Sequence, residues 1–475
     1  MRRRLTQEIY DETVANYTEN FDMDALEARE SALEELKLQD FDVSMVSQPS
    51  CFSRNTVARE QAQLVLSSLR AILEMEEKHT EESMKEGVLS RQQILALILA
   101  ARSSATDHDD AFLRVIGQSG ANKLLLQISC KITEAAHQRD WAFECLEALM
   151  VVPENSQLVL ECQEFSGVLR TLSTSESSSS FNNFVASAMK HQDDNKTVLL
   201  QEYVLDMLSR TLTSDDELMV QSASRVLISI LLDGVHTVAS RKHTRALILF
   251  EHGIVRHVCA GIYRCSQLNQ YTTLLHLLEL LTELLVNERA CRSVEVDIMR
   301  VLLDLSTSED SALLLHQICK CVRRLVMCDS CKISLLNLRI IDVFVPLLDH
   351  DTPWLEEIVG TIAALTLRNQ SAACTLYETD GINKVLKIMQ HDRRGKVLRQ
   401  CCVLIRNVAN RNETIKEYLN SVNAGRILRS LKDDHPRFCV DVGSAALRDL
   451  GISDYNDGWT PRTPILGASG VILDL

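Results

Sequence analysis

Residues 401–431 read CCVLIRNVANRNETIKEYLNSVNAGRILRSL. An apolar helix comes first, then a polar turn, a second helix, and Gly425 ahead of a third apolar start. Residues 361–389, TIAALTLRNQSAACTLYETDGINKVLKIM, repeat the pattern, with Gly381 standing where the later copy has Gly425. Each glycine opens a run of Ile, Leu and Val at helical spacing. A period of about 40 to 45 residues is that of helical repeat units which cannot bury their apolar face alone and must stack on their neighbours.

Weaker copies lie upstream. ICKCVRRLVMCDSCKISLLNLRIIDVFVPLL (318–348) and LLELLTELLVNERACRSVEVDIMRVLLDL (277–305) keep the apolar positions and lose the glycine, whereas AFECLEALMVVPENSQLVLECQEFSGVLRTL (142–172) regains it at Gly167. SGANKLLLQI (119–128) marks an earlier start. The segment 181–260 holds one or two units with an insertion from Asp233 to Thr244, and its end again places Gly253 before Ile254. The glycines are expected to supply positive φ where one helix turns into the next.

Composition agrees. The 475 residues include only 16 Gly and 7 Pro, which removes most of the punctuation that strands and hairpins need. Hydrophobic residues reach 46% while aromatics are 5%, suiting many thin aliphatic layers better than one deep aromatic core. The start, MRRRLTQE, turns polar before any apolar run, so no secretory signal is read, and Leu274 to Val286 is too short and too charged to span a bilayer. A soluble protein is expected. Fifteen scattered cysteines fit a reducing cytosol or nucleus. A net charge of −15 argues against a general nucleic-acid binder.

The repeats, and LIRNVANRNETIKEYLNSVNAGRIL above all, resemble the armadillo repeat family. A closer resemblance, to one member of that family, is carried by LTQEIYDETVANYTENFDMDALEARESALEELKLQDFDVS (5–44) and by SAALRDLG (444–451) followed by Trp459. The resemblance implies an all-α, armadillo/HEAT-type right-handed superhelical solenoid with a helical N-terminal extension. The expected divisions are an acidic helical extension (1–46) containing two short amphipathic helices (6–20 and 24–39), a linker (47–56), the solenoid (57–452) and a flexible tail (453–475). An acidic turn with Glu81, Glu82 and Glu86 and a Ser-rich loop at 174–180 interrupt it.

Catalytic or metal chemistry finds little support. Cys328 and Cys331 have a spacing that zinc sites use, with Cys319 and Cys321 nearby, but residues two apart on a helix point to different faces. Buried reduced thiols and no metal are expected. His191 with Asp193 and Asp194, Asp107-His108-Asp109-Asp110, and His236 with His243 read as solvated loop residues, since no nucleophile or phosphate-binding loop accompanies them. Neither an enzyme nor a cofactor is expected.

Armadillo proteins that hold extended peptides use an Asn on the third helix of successive repeats, and import receptors place a Trp one turn earlier. Aligned to Asn407, the equivalent positions are Ala148, Ser229, Glu283, Arg324 and Ala364, and Val403 stands in the Trp position. The resemblance therefore implies the scaffold without the peptide-clamping ladder. Residues 316–450 hold 20 Lys and Arg against 15 Asp and Glu, while residues 1–50 hold 12 acids against 5 bases. Lys320 with Arg324, Arg368, Lys396 and Arg411, along the stripe marked by Asn407, are expected to form a cationic lane for acidic segments of a partner protein or for the chain's own acidic N-terminal helices. Two functions are left open: a scaffold or adaptor binding proteins through its concave face, and a chaperone or assembly cofactor holding clients. Partners are other proteins, not nucleic acid or membrane; the oligomeric state is not read from the sequence.

Overall fold

The computed structural model describes residues 50–78, 88–104, 111–132, 136–174, 178–190, 194–233, 240–307, 312–349, 352–410 and 412–455, with short pieces at 3–4, 10, 13–14, 16–17, 31–32, 35–36 and 41–42. The chain divides into two compact units, Met1–Leu125 and Leu126–Leu475. The acidic turn at 81–86, the Asp107–Asp110 run, His191 with Asp193, His236, Arg411 and Trp459 lie outside the described residues.

In the first unit, helix Ser50–Lys78 packs against helix Ala111–Gln118, and helix Arg91–Ser104 also packs against the latter. Val65, Leu69, Ile72, Ile94, Ile98, Leu113 and Ile116 form the buried seam. Where the N-terminal extension is described it is helical at residues 10, 13–14, 16–17, 31–32 and 35–36, with Tyr10, Ala32 and Leu36 buried. Tyr17 donates from its hydroxyl to Glu35 at 2.9 Å. A two-residue parallel pairing of Arg3–Arg4 with Phe41–Asp42 is the sole strand structure among the described residues. The helix begins at Ser50, so most of the segment read as a linker is helical; Pro49 sets that boundary, because proline is excluded from a helix interior and tolerated at its edge.

The second unit is built of helical triplets. First helices start at Pro153, Asp194, Lys242, Glu288, Asp329, Gln370 and Glu413, 41 to 48 residues apart. The last three triplets show the plan most plainly: Asp329–Asn337, Ile340–Phe344 continued by Pro346–Asp349, and Leu355–Thr366; Gln370–Glu378, Gly381–His391 and Gly395–Ala409; Glu413–Ser421, Ala424–Asp434 and Pro436–Asp449. Segment 181–260 resolves into the end of one triplet, the whole of the next (Asp194–Leu200, Glu202–Leu212, Glu217–Leu231), and the start of a third. Among the described residues, no single helix is long and apolar enough to cross a membrane; the pair Lys242–Glu251 and Ile254–Gln267 is bent by 76° between a first and a second helix.

Third helices stack on one another along the unit: Ala136–Leu149, Ser179–Met189, Glu217–Leu231, Tyr271–Leu284, Ala312–Leu325, Leu355–Thr366, Gly395–Ala409 and Pro436–Asp449. Aliphatic residues fill the layers, as the scarcity of aromatics implies. The exception is a cluster near the start, where Phe181 meets Phe143 edge-on at 5.1 Å and Phe184 lies 6.2 Å from Phe143 and 6.1 Å from Phe165. The C-terminal carbonyl of helix Glu217–Leu231 is covered by cations: Leu232 O accepts from buried Lys196 and from Arg245, which also pairs with Asp233 at 2.6 Å.

The glycines act differently from expectation. Gly253 does take φ +86, but at the later copies the left-handed residue is Asp380 (φ 63) or Asn423 (φ 63), while Gly381 and Gly425 lie inside the helices that follow. Asp and Asn tolerate that conformation better than other non-glycine residues. Glycine is needed for space: a Cβ on Gly381 would collide with Leu376 and meet its carbonyl oxygen at 3.1 Å, and one on Gly425 would meet Ile452 Cδ1 at 2.5 Å. Gly381→Ala should therefore destabilise by about 1–3 kcal/mol as Leu376 is forced from its site. Thermal melting checks this; an unchanged or raised melting temperature would show that the close approach is not felt.

A second tie joins successive triplets between their second and third helices. The Asp392 carboxylate accepts from the backbone N–H of Arg394 at 2.7 Å and from its guanidinium at 2.5 to 3.1 Å, while Arg394 Nη1 donates to Thr352 O at 2.6 Å. Burial alone would raise the Asp392 pKa, but the hydrogen bonds and charge of Arg394 outweigh it and hold the carboxyl below its ordinary 3.8. A depressed folded pKa stabilises above the unfolded value and is lost as pH falls through the folded one. Arg394→Ala should cost about 1–3 kcal/mol at neutral pH, and the gap from wild type should shrink below about pH 4. A gap that does not change with pH would exclude the ion pair as its cause.

Candidate functional site

The third helices are joined by polar side chains as well as by packing. Asn182 Nδ2 donates to Ser222 Oγ at 3.1 Å, Gln221 Nε2 to Thr273 Oγ1 at 3.0 Å, Gln317 Nε2 to Thr282 Oγ1 at 3.2 Å, and Asn407 Nδ2 to Ala363 O at 2.7 Å. Buried polar groups are mostly paired, and here the pairing ties together four pairs of successive third helices. On the face left uncovered, a row of side chains recurs at every third or fourth residue: Asn183 and Ser187, then Arg225 and Ser229, then His276, Glu279 and Glu283, then His316, Lys320 and Arg324.

This face is hollowed across four of the helices. A cavity of about 480 Å³ is lined by Glu147, Asn183, Arg225, Ser229, His276 and Glu279, among others. At its centre Arg225 donates to Asn183 Oδ1 at 3.1 Å and reaches His276 Nε2 at 3.4 Å. Of the lining residues, sequence reasoning had aligned Ser229 with Asn407 but did not single out Asn183, Arg225 or His276. Its alignment placed Ala148 on the row, but Ala148 is fully buried and Glu147 lines the cavity; one residue of register moves a helical side chain by about 100° around the axis.

The candidate cationic lane falls on later helices. Lys320 is half-buried and Arg324 exposed one turn further on the same helix. One turn before Lys320, His316 stacks on Trp354 at 5.4 Å, and burial, then the Lys320 charge, lowers its pKa. Arg368 is exposed in the turn after the next third helix, in the left-handed region at φ 55, with its charge near Lys332. Lys396 is exposed at the start of the following third helix. Among the described residues, none of these four side chains has an ion pair. Asn407 is half-buried, and its amide is tied to the preceding helix. The structure thus brings Lys320 and Arg324 together, sets Arg368 and Lys396 on later elements, and uses Asn407 within the scaffold.

The thiols separate as helical geometry requires. Cys321 is turned toward Cys259, Cys291 and Thr282, and Cys319 toward Glu357, with burial pushing the Cys319 thiol up to about 12. Among the described residues, no group of three or more His, Cys, Asp and Glu side chains is arranged to hold a metal ion.

Residues 2–63 match the family model described as the armadillo repeat-containing protein 6 N-terminal domain. No curated protein matches the chain. The fold is similar to that of an engineered protein from a structural genomics consortium, with a TM-score of 0.65 and 15% identity over 85% of this chain and 97% of that one. It is also similar to a chain solved in work described as a conserved phosphorylation switch controlling the interaction between cadherin and beta-catenin, with a TM-score of 0.58 and 12% identity over 82% of this chain and 69% of that one. A designed armadillo repeat protein in complex with the peptide (KR)4 aligns over 51% of this chain and 98% of its own, at 17% identity and a TM-score of 0.45. At such identities the likeness is one of fold. The match over residues 2–63 bears out the resemblance read at the start of the sequence, that segment being similar to the armadillo repeat-containing protein 6 N-terminal domain, and the stacked helical triplets bear out the expected solenoid fold.

Proposed function

We propose that the protein is a non-enzymatic scaffold or adaptor that binds other proteins along the face of its third helices. The observation that carries this reading is the uncovered row itself: within a stack of eight third helices, four of them, tied to their neighbours by polar side chains, hold polar and charged side chains at regular spacing beside a cavity of about 480 Å³. A rigid array of this kind binds without first paying to order its own groups. Lys320, Arg324, Arg368 and Lys396, with Arg411 as the sequence places it, make the later helices the place for acidic segments of a partner. The typical role of armadillo folds supports the reading.

A chaperone or assembly cofactor differs in its clients. Affinity capture of the full chain with mass spectrometry separates the two: a few stoichiometric partners are expected of the scaffold, and a broad set of unfolded clients with heat-shock proteins would favour the cofactor. Cytosol or nucleus remains the proposed location, which fractionation tests.

A further inference from the structure

At the start of the first helices, Asn287, Asn369 and Asn412 occupy the same capping position, each accepting the backbone N–H three residues on, from Ala290, Ala372 and Ile415. In the triplet between the first two of these, the capping residue of helix Asp329–Asn337 is Cys328, and the residue three on is Cys331. Cys328 Sγ lies 3.1 Å from Ser330 Oγ at the helix start and, unlike the Asn oxygens, makes no capping hydrogen bond in this thiol form. Cys331 Sγ, behind it, donates to Cys291 O at 3.2 Å. Cys291 Sγ is itself turned to Arg324 O at 3.8 Å. Glu288 lies 4.0 Å from Cys328 and is occupied by Arg292, whose guanidinium also reaches the Cys328 sulfur. Cys328 is itself buried, at 1% exposure, while the residues on either side of it in the chain, Met327, Asp329 and Ser330, are exposed.

We propose that Cys328 and Cys331 are a redox pair: Cys328 is the peroxide-reactive thiol, Cys331 is the thiol that resolves it, and hydroperoxide closes a reversible disulfide across the first turn of helix Asp329–Asn337. A helix start favours a thiolate for the reason it favours an Asn or Asp oxygen, since its free N–H groups point at the capping atom. Burial would raise the Cys328 pKa, but the Ser330 hydroxyl, the Cys331 amide and thiol and the Ser330 amide around the sulfur outweigh it and lower it. Burial and the neighbouring Cys328 push Cys331 up to about 12, so the resolving thiol keeps its proton until it is used.

The steps balance. The Cys328 thiolate attacks a peroxide oxygen, the O–O bond breaks, and hydroxide leaves, giving a sulfenic acid. Cys331 sulfur then attacks Cys328 sulfur, the S–O bond breaks, and water departs with the Cys331 proton. Two electrons from the sulfur pair reduce one hydrogen peroxide to two waters, and a dithiol reductant reverses the oxidation by exchange. Oxidation also removes the Cys331 S–H donor from Cys291 O, a contact between successive first helices.

The test uses the full chain and hydrogen peroxide. The expected result is loss of two hydrogens in intact mass, mapped by alkylation and peptide analysis to Cys328–Cys331 and reversed by dithiothreitol. Iodoacetamide labelling of Cys328 should show a pH midpoint below the ordinary thiol value of 9.0. Cys328→Asn, which installs the cap used by the neighbouring triplets, should fold and leave Cys331 reduced; Cys331→Ser should accumulate the Cys328 sulfenic acid. Pairing of Cys331 with Cys291 in the Cys328→Asn variant would overturn the proposal. So would Cys328 and Cys331 both remaining thiols after Cys130, Cys162 and Cys374 have oxidised.

Discussion

A chain ending at Val440 should lose its last triplet as a stable unit. Helix Pro436–Asp449 closes the stack against helices Gly395–Ala409 and Ala424–Asp434. The cut removes Ala446, Leu447 and Leu450, all at most 2% exposed, and uncovers the face formed by residues such as Cys402, Leu428 and Leu431. Each buried leucine contributes about 2 kcal/mol, and uncovering its partners adds a similar amount, for a loss of about 5 kcal/mol or more. Repeats contact only their neighbours, so this falls on the end of the array. Calorimetry should show a separate low-temperature transition. A chain ending at Tyr455 should melt as the full chain does. One ending at Ile452 should fall slightly below it, because residues 453–455 are not a free tail: Asp454 pairs with Arg429 at 2.7 Å, and Lys432 donates to Tyr455 O at 2.8 Å. Equal melting of the Val440 and Tyr455 chains would refute the capping role.

Phe184→Ala should act at the other end of the same unit. Phe184 is fully buried where helices Ala136–Leu149, Gln163–Thr174 and Ser179–Met189 meet, between the rings of Phe143 and Phe165. Its neighbours are rings on separate helices and cannot collapse freely into the space, so the cost should be about 3–5 kcal/mol. Hydrogen exchange should rise in residues 136–189 and change little beyond about residue 350. A uniform rise along the whole unit would mean that the array unfolds as one block and would contradict the nearest-neighbour picture.

The period and the helical class were legible because each triplet writes its Leu, Ile and Val at helical spacing, and because Gly381 and Gly425 stand within one residue of the same place in two copies. The reason for those glycines was not legible. Whether Asp380 or Gly381 takes positive φ depends on where the helix begins, and the space that Gly381 leaves is filled by Leu376, whose position follows only from packing. The groove row suffered from the same limit: Ala148 and Glu147 both fit an apolar pattern loosely, and only burial separates them. Asn407 could be recognised as the residue of a peptide clamp, yet its amide is spent on Ala363 O, which no spacing reveals. Cys328-x-x-Cys331 stood out as a motif, but its place in the row of Asn287, Asn369 and Asn412 caps needed the helix starts. Arg225, His276 and Glu279 lie one or two turns before the aligned Ser229 and Glu283, and only the third-helix stack shows that they meet.

The measurement that bears most directly on the third-helix face is fluorescence anisotropy of a labelled glutamate-rich peptide with the full chain and with the Arg324→Glu, Arg368→Glu double variant, at low salt. Both side chains are exposed and without ion pairs among the described residues, so their reversal should leave the melting temperature unchanged. Reversing two charges of a lane, at about 0.5–1 kcal/mol for each attraction lost and as much again for the repulsion gained, should weaken binding by about tenfold or more. Salt should weaken the wild-type interaction in parallel. Saturable binding that is lost in the folded double variant is the predicted result; equal affinity of the two proteins at low salt would contradict the account.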